Sequence, residues 1–494
     1  MHSPLAHSLA QEAKSVRERE RPAMNHKTGL DPLDWNDFRS QAHKMLDAAI
    51  DQMENATDHP WQPAPTDLQD RYKIGARPAS TDLLDRIQTD VLPYHGGNIH
   101  PRFWGWVQGT GLASDLIAAM AAAATNENMG GRDHGGIYME RAVIDWTRKK
   151  MGFLESASGI CVTGTSQATV IAFQAARLRV LKNLRATGQG DKRLTAYAPV
   201  GVHNATVKAL QLLGIGSDNL RQIPLQDGKL NAEILRETLA TDRADGALPF
   251  LLVGNAGSVD LGLFDDLNQL ADLADQHELW LHVDGAFGAW TRLADAPWRG
   301  LTDGIERADS IALDFHKWMY VGYDCGMVLI RDEDEHRAAF AARPAYLEGT
   351  AQGIAGNEPW FCDYGIDLSR GNRAIKVWCA LEMFGEQAFA DAITDNCRMA
   401  ALMAEDVEKR PRMRLGHAVV SNVCTFTAND TLPPVQQSEL NAEIALTLQQ
   451  NGTAVFSTTR VDGIVMLRAA IVNHRTQASD ISAALDAVAD LCPR

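Results

Sequence analysis

The chain has 494 residues, 45% of them apolar and 22% charged, enough to bury a large core plus a smaller one in a soluble globular fold. Its formal charge of −16 argues against a nucleic-acid or anionic-membrane partner, because such binding draws on clustered Lys and Arg. Seven cysteines without a recurring spacing give neither a disulfide framework nor a metal-binding pattern, so free thiols in a reducing cytosol are expected.

Residues 1–23, in which Arg17, Arg19 and Arg21 alternate with glutamates, read as a disordered extension, with Met24 as an alternative start. Apolar positions Phe38, Ala42, Met45, Leu46 and Ile50 recur at helical spacing and predict an amphipathic helix over 34–53. An extended connector follows from Pro60 to Pro65, then a second helix over 81–91. The segment from His100 to Gly109 sets Trp104 and Trp106 beside two glycines; it reads either as a buried packing cluster or as the wall of a substrate pocket. Helices are expected over 112–124 and 139–151. The first of these lies in the most apolar stretch, which Ser114 and Asp115 interrupt and which is too short to span a bilayer. The first residues lack a signal-peptide apolar core, so neither export nor membrane anchoring is expected.

A strand over 159–162 ends in Thr163-Gly164-Thr165-Ser166-Gln167 and leads into a helix over 168–184. Free amides and hydroxyls at such a turn form either a phosphate site or an ordinary helix cap by Thr165 or Ser166. Strands over 194–198, 250–253 and 279–283 then alternate with helices after His203 and over 264–276, the pattern of parallel strands with crossover helices. His203 follows a strand and is expected on the same side as Asp284, as a site imidazole or as a cap.

The stretch from Trp280 to Asp332 holds three short apolar runs, read as buried strands, with Asp284 and Lys317 each at or just beyond a strand end. A lysine amine can form a Schiff base with an aldehyde cofactor, and a carboxylate facing a pyridine nitrogen keeps that nitrogen protonated. Together with the small residues after Asp284 and with His316 before Lys317, the pair points to pyridoxal 5′-phosphate. Beyond it, 342–371 is a long Gly-, Pro- and aromatic-rich loop. Helices over 372–384 and 391–410, strands over 419–426 and 464–471, and helices near Leu440 and Ile481 make a small α+β domain.

These motifs in this order resemble the group II pyridoxal-phosphate-dependent amino-acid decarboxylases, the aromatic-L-amino-acid and glutamate decarboxylase group. The likeness runs from about Asp34 to the C-terminus, through His-Pro-Arg-Phe-Trp, the 139–152 segment, His203, His-Val-Asp-Gly-Ala, His-Lys-Trp, Asp-Cys-Gly, Pro-Ala-Tyr346-Leu and Leu-Arg468-Ala-Ala-Ile-Val-Asn-His-Arg-Thr. It implies an α/β fold of type I, aspartate-aminotransferase-like, with a seven-stranded mixed sheet. It also implies an N-terminal arm over 24–98, a large domain over 99–371, a small domain over 372–494, and a cytoplasmic homodimer with active sites at the interface.

By the same resemblance Lys317 is the Schiff-base lysine, Asp284 the partner of the pyridine nitrogen, and His203 and Ala286 flank the two faces of the ring. Thr165, Ser166 and His316 hold the phosphate. Tyr346 protonates the carbanion from a mobile loop, and Trp104, Trp106 and Arg468 contact the substrate. The activity implied is decarboxylation of an amino acid to its amine, an aromatic one foremost. The alternatives are oxidative deamination to an aldehyde, an acidic substrate, and a non-catalytic binding protein. The residues Asp314-Phe315 before His316, and a polar 126–136 segment, depart from the commoner pattern.

Overall fold

The computed structural model describes residues 29–58, 60–74, 82–342, 353–356 and 358–492. The expected N-terminal extension and Tyr346 lie outside these residues. Helix α1 (Trp35–Glu54) starts where Asp34 caps it, its side chain accepting from the amides of Asn36 and Asp37, and it buries none of its side chains within the chain.

A seven-stranded sheet carries the large unit. Its strands are β1 (Ser158–Val162), β2 (Leu194–Pro199), β3 (Leu220–Ile223), β4 (Leu248–Asn255), β5 (Trp280–Asp284), β6 (Ser310–Asp314) and β7 (Gly326–Ile330), in spatial order β1-β7-β6-β5-β4-β2-β3. All pairings between β6 and β3 are parallel, and β7 runs antiparallel to both neighbours. β1, β5, β6 and β7 are buried at every position, which is why they read as unbroken apolar runs. β3 is one of the two edge strands; only its last residue is buried, so it carries no such signal.

The helices of the large unit are α2 (Ser114–Thr125), α3 (Gly135–Lys150), α4 (Thr165–Val180), α5 (Asn204–Leu212), α6 (Ala232–Ala244), α7 (Leu267–His277) and α8 (Glu333–Phe340); α4 to α7 each lead from one strand to the next, whereas α2 and α3 precede β1 and α8 follows β7. α4 begins at Thr165, three residues before its expected start, so Thr165 and Ser166 form its first turn. Two helical segments follow residue 372 as expected, named together α9 (Ala374–Lys409); they meet at Gly385, where φ 72° and ψ 160° suit glycine.

A second sheet, β8 (Arg414–Leu415), β9 (Val423–Thr427), β10 (Ser457–Val461) and β11 (Ile464–Ala470), packs with α10 (Pro434–Gln450) and α11 (Ala478–Asp490) in the order β8-β9-β11-β10. Two cores result, and both depart from a boundary at 371/372. Ala374, Val377, Phe389 and Ile393 of α9 belong to the large core, whereas Ala400, Met403 and Val407 belong to the small one. Trp104, upstream of the large sheet, also lies in the small core. Its amide donates to Val455 O at 2.8 Å and its carbonyl accepts from Ala470 N at 2.9 Å, so this segment extends the small sheet. Among the described residues no helix is long and apolar enough to cross a membrane, and no cluster of His, Cys, Asp and Glu is placed to hold a metal ion.

Candidate active site

The strand order brings Thr165 (after β1), His203 (after β2), Asp284 (end of β5) and Lys317 (after β6) to one end of the sheet, the carboxyl ends of its parallel strands. A cavity of about 640 Å³ opens there, lined by His203, Asp284, Ala286 and Lys317 from the large unit and by Leu446, Phe456 and Arg468 from the small one.

Asp284 is buried, and its Oδ1 accepts from Ala286 N at 3.2 Å. Burial pushes its carboxyl up, against the pull of His203, Lys317 and the Ala286 amide. No other hydrogen bond to its side chain occurs among the described residues, so the carboxylate retains acceptor capacity on the cavity wall. His203 caps α5: Nδ1 accepts from Ala205 N at 3.1 Å, so in the neutral ring the proton sits on Nε2. At the head of α4 the Thr165 hydroxyl is buried with no hydrogen-bond partner among the described residues, and Ser166 beside it is exposed. An unpaired hydroxyl at a helix N-terminus is the donor set a phosphate group takes.

His316 is fixed by the Cys325 backbone, its Nδ1 lying 2.9 Å from the carbonyl oxygen and 3.1 Å from the amide nitrogen. Burial lowers its imidazole below the usual histidine value, against the opposing effect of Asp314. The Tyr323 ring lies on it, with centroids 4.4 Å apart. The turn that carries Tyr323 is held from α9, where Lys376 Nζ donates to Tyr323 O at 2.6 Å and Arg373 Nε to Asp324 Oδ1 at 2.9 Å. An amine, a buried acceptor and an imidazole in one cavity, with the head of α4 linked to the amine through Asp314, fit pyridoxal 5′-phosphate; Thr165, Ser166 and His316 do not line that cavity.

One of the three expected substrate contacts falls elsewhere. Trp104 is fully buried in the small core, against Phe456 at 5.4 Å, with its indole donating to Thr476 Oγ1 at 3.2 Å; it does not line the cavity. Trp106 does, and is 55% exposed. Arg468 reaches the cavity but is mostly engaged. Nε donates to Asp260 O at 2.9 Å, Nη1 to Trp106 O at 3.0 Å and Ser457 Oγ at 3.1 Å, and Nη2 to Val259 O at 2.6 Å. One of its N–H groups is left for a ligand. Burial lowers the guanidinium to about 10, opposed by Asp260. Its main effect is to clamp three segments of the cavity wall.

Sequence reasoning passed over Asp314, Gln108 and Tyr323. Gln108 and Tyr323 line the cavity, and Asp314 Oδ2 is 2.7 Å from Lys317 Nζ. The Asp-Cys-Gly motif acquires a reason as well. Gly326 pairs with Val162 on one side and Asp314 on the other. A Cβ there would lie 2.5 Å from Asp314 Oδ1 and 2.6 Å from Gly164 Cα. Gly326→Ala is therefore expected to destabilise the protein by about 1–3 kcal/mol through overpacking and to weaken cofactor retention. Thermal unfolding with and without cofactor reads both effects, and an unchanged melting temperature would refute the close packing.

The family described as the pyridoxal-dependent decarboxylase conserved domain matches residues 73–428. An aromatic-L-amino-acid decarboxylase of Bacillus atrophaeus is 30% identical over 412 residues, covering 81% of this chain and 83% of that protein. A phenylacetaldehyde synthase of Arabidopsis thaliana is 26% identical, covering 90% of this chain and 93% of that protein. The crystal structure of Oryza sativa TDC with PLP and tryptamine superposes with a TM-score of 0.86 at 24% identity, covering 94% of this chain and 99% of that one.

Proposed function

The chain belongs to the pyridoxal-dependent decarboxylase family, and from that premise we propose that it converts an aromatic L-amino acid to the corresponding amine and CO2. The observation that carries this reading is the joint placement of Lys317, Asp284 and His203 in one cavity beside the head of α4. Lys317 would tether pyridoxal 5′-phosphate, Asp284 would face its ring nitrogen, and His203 and Ala286 would flank the ring. Thr165, Ser166 and His316 would hold its phosphate. Bound there, the cofactor supplies the electron sink for the electron pair left when CO2 departs.

The chain's own residues select the reaction. The cavity walls orient the substrate so that the bond to its carboxylate is the one broken, and Arg468 keeps those walls together. The apolar surface of Trp106, Val107, Leu446 and Phe456 suits a flat side chain, in keeping with the relative named for aromatic L-amino acids. Tyr346 would deliver the proton to the substrate's α-carbon once CO2 has left. Exposed apolar residues on two packed helices, Ile117 and Met120 of α2 and Trp378, Met383 and Phe384 of α9, together with α1, support a homodimer. We place that dimer in the cytoplasm.

Incubation with each natural amino acid and its hydroxylated relatives, scored by CO2 release and product mass, tests the proposal. CO2 and amine from an aromatic substrate are expected; turnover confined to acidic or aliphatic amino acids would refute the substrate class. The likeness to a phenylacetaldehyde synthase favours a second outcome, in which O2 is consumed and an aldehyde, ammonia and peroxide form. Tyr346 favours the amine. Tyr346→Phe should accordingly move the product from amine toward aldehyde with peroxide, and an unaltered product ratio and rate would remove Tyr346 from the scheme.

A further inference from the structure

Asp314 ends β6 three residues before Lys317 and is 2% exposed. Both of its oxygens are committed. Oδ1 accepts the first amide of α4, Thr165 N, at 2.7 Å, and Oδ2 lies 2.7 Å from Lys317 Nζ. His316 Nε2 is 3.9 Å away. Burial alone would raise this carboxyl; Lys317 and His316 hold it below the usual carboxylate range. The tie to Thr165 by itself would be met equally well by a neutral amide oxygen. The contact with Nζ is what calls for a charge. Asp284 and Asp260 also line the cavity, yet among the described residues neither reaches ion-pair distance of Nζ.

We propose that Asp314 is the resident counter-ion of Lys317, a positioning residue that holds the side-chain amine as an ion pair whenever that amine is not covalently engaged, and does so at the same helix N-terminus that takes the cofactor's phosphate. The proposal rests on the reading of Lys317 as the covalent lysine. Two consequences of opposite character follow. The carboxylate holds the amine in a close ion pair, and an amine held that way is a poorer nucleophile. It also sets a fixed anion beside the arriving phosphate, so phosphate binding is weaker than the helix terminus alone would give. The other ionisable groups facing Lys317 are Asp284 from β5, His203 ahead of α5, and His316 and Tyr323 from its own connection, with Asp260 and Arg468 across the cavity. None of them also accepts the Thr165 amide, so only Asp314 couples the amine to the phosphate cradle.

Asp314→Asn keeps the shape and the acceptor for Thr165 N while removing the charge. In the full-length chain freed of cofactor, two probes read the result: labelling of Lys317 by trinitrobenzenesulfonate at neutral pH, located by peptide mapping, and binding of inorganic phosphate by calorimetry. Lys317 should be labelled about tenfold faster and phosphate bound about threefold more tightly, since one charge in a poorly solvated site is removed. A purely structural role predicts looser phosphate binding, so gains in both separate the readings; unchanged or slower labelling, or weaker phosphate binding, overturns the proposal.

A second measurement does not depend on labelling. Asp314→Asn should lower the melting temperature of the wild-type chain but raise it in a Lys317→Met background, where Asp314 has lost its cation; the same sign in both backgrounds overturns the proposal. Borohydride reduction of the holoenzyme is the separate check on the underlying assignment. Cofactor fixed to the Lys317 peptide supports that assignment, and cofactor fixed to another lysine overturns both.

Discussion

Replacing Lys317 with alanine should lower turnover by roughly 10⁴-fold or more, the scale expected when the covalent group of a site is removed. The same change should abolish the visible absorbance of the lysine-bound cofactor. It should not abolish cofactor binding. Thr165 and Ser166 sit on α4 and His316 on the connection held by Cys325, so the proposed phosphate cradle keeps its residues in place when the Lys317 side chain is removed. Asp284, buried and tied to Ala286 N, likewise keeps its place. The expected variant is therefore an inactive protein that still takes up cofactor noncovalently, measured by absorbance, equilibrium dialysis and amine formation together. Turnover within tenfold of the wild type would remove Lys317 from the reaction. Loss of cofactor binding along with turnover would show that the cradle is not self-sufficient.

How much of this could be read from the chain alone depended on whether a residue's role is local. Asp284 and Lys317 follow apolar runs that are buried at every position, so their location at strand ends was legible. The two tryptophans were not separable. In an extended segment, residues two apart share a face, and Trp104 is extended, paired with Val455 and Ala470. Trp106 has φ 55°, which breaks the alternation and turns it toward the cavity while Trp104 enters the small core. Arg468 shows the same limit at longer range: its partners Val259, Asp260 and Trp106 lie more than 200 positions away. Asp314 stood in the sequence only as an unusual residue before His316. Its meaning required the register that sets it across Gly326 from β1 and hence under the first amide of α4.

Removing Arg370 should produce the largest loss of stability of any single surface-distant substitution in the large unit, about 3–5 kcal/mol in urea unfolding. Its guanidinium meets the Glu140 carboxylate with two parallel bonds, Nη1 to Oε2 and Nη2 to Oε1, each 2.8 Å, and both side chains are essentially sealed from solvent. Burial opposes the charged guanidinium, yet Glu140 beside it holds it above the usual arginine value. Glu140 Oε1 also accepts Cys161 N at 3.0 Å, and Phe361 packs 5.0 Å from the guanidinium carbon. One pair thus fastens α3, β1 and the segment leading into α9. Arg370→Ala would strand Glu140 as a buried anion without a cation, which costs far more than the pair itself contributes. Glu140→Gln combined with Arg370→Met removes both charges and should recover most of the loss, so the two changes must be strongly non-additive. Cys161 lies four residues before Thr165 in β1, so Arg370→Ala should also weaken cofactor retention, whereas the double variant should restore it. A loss under 1 kcal/mol for Arg370→Ala, or a double variant as unstable as the single one, would mean that the fold does not depend on this pair.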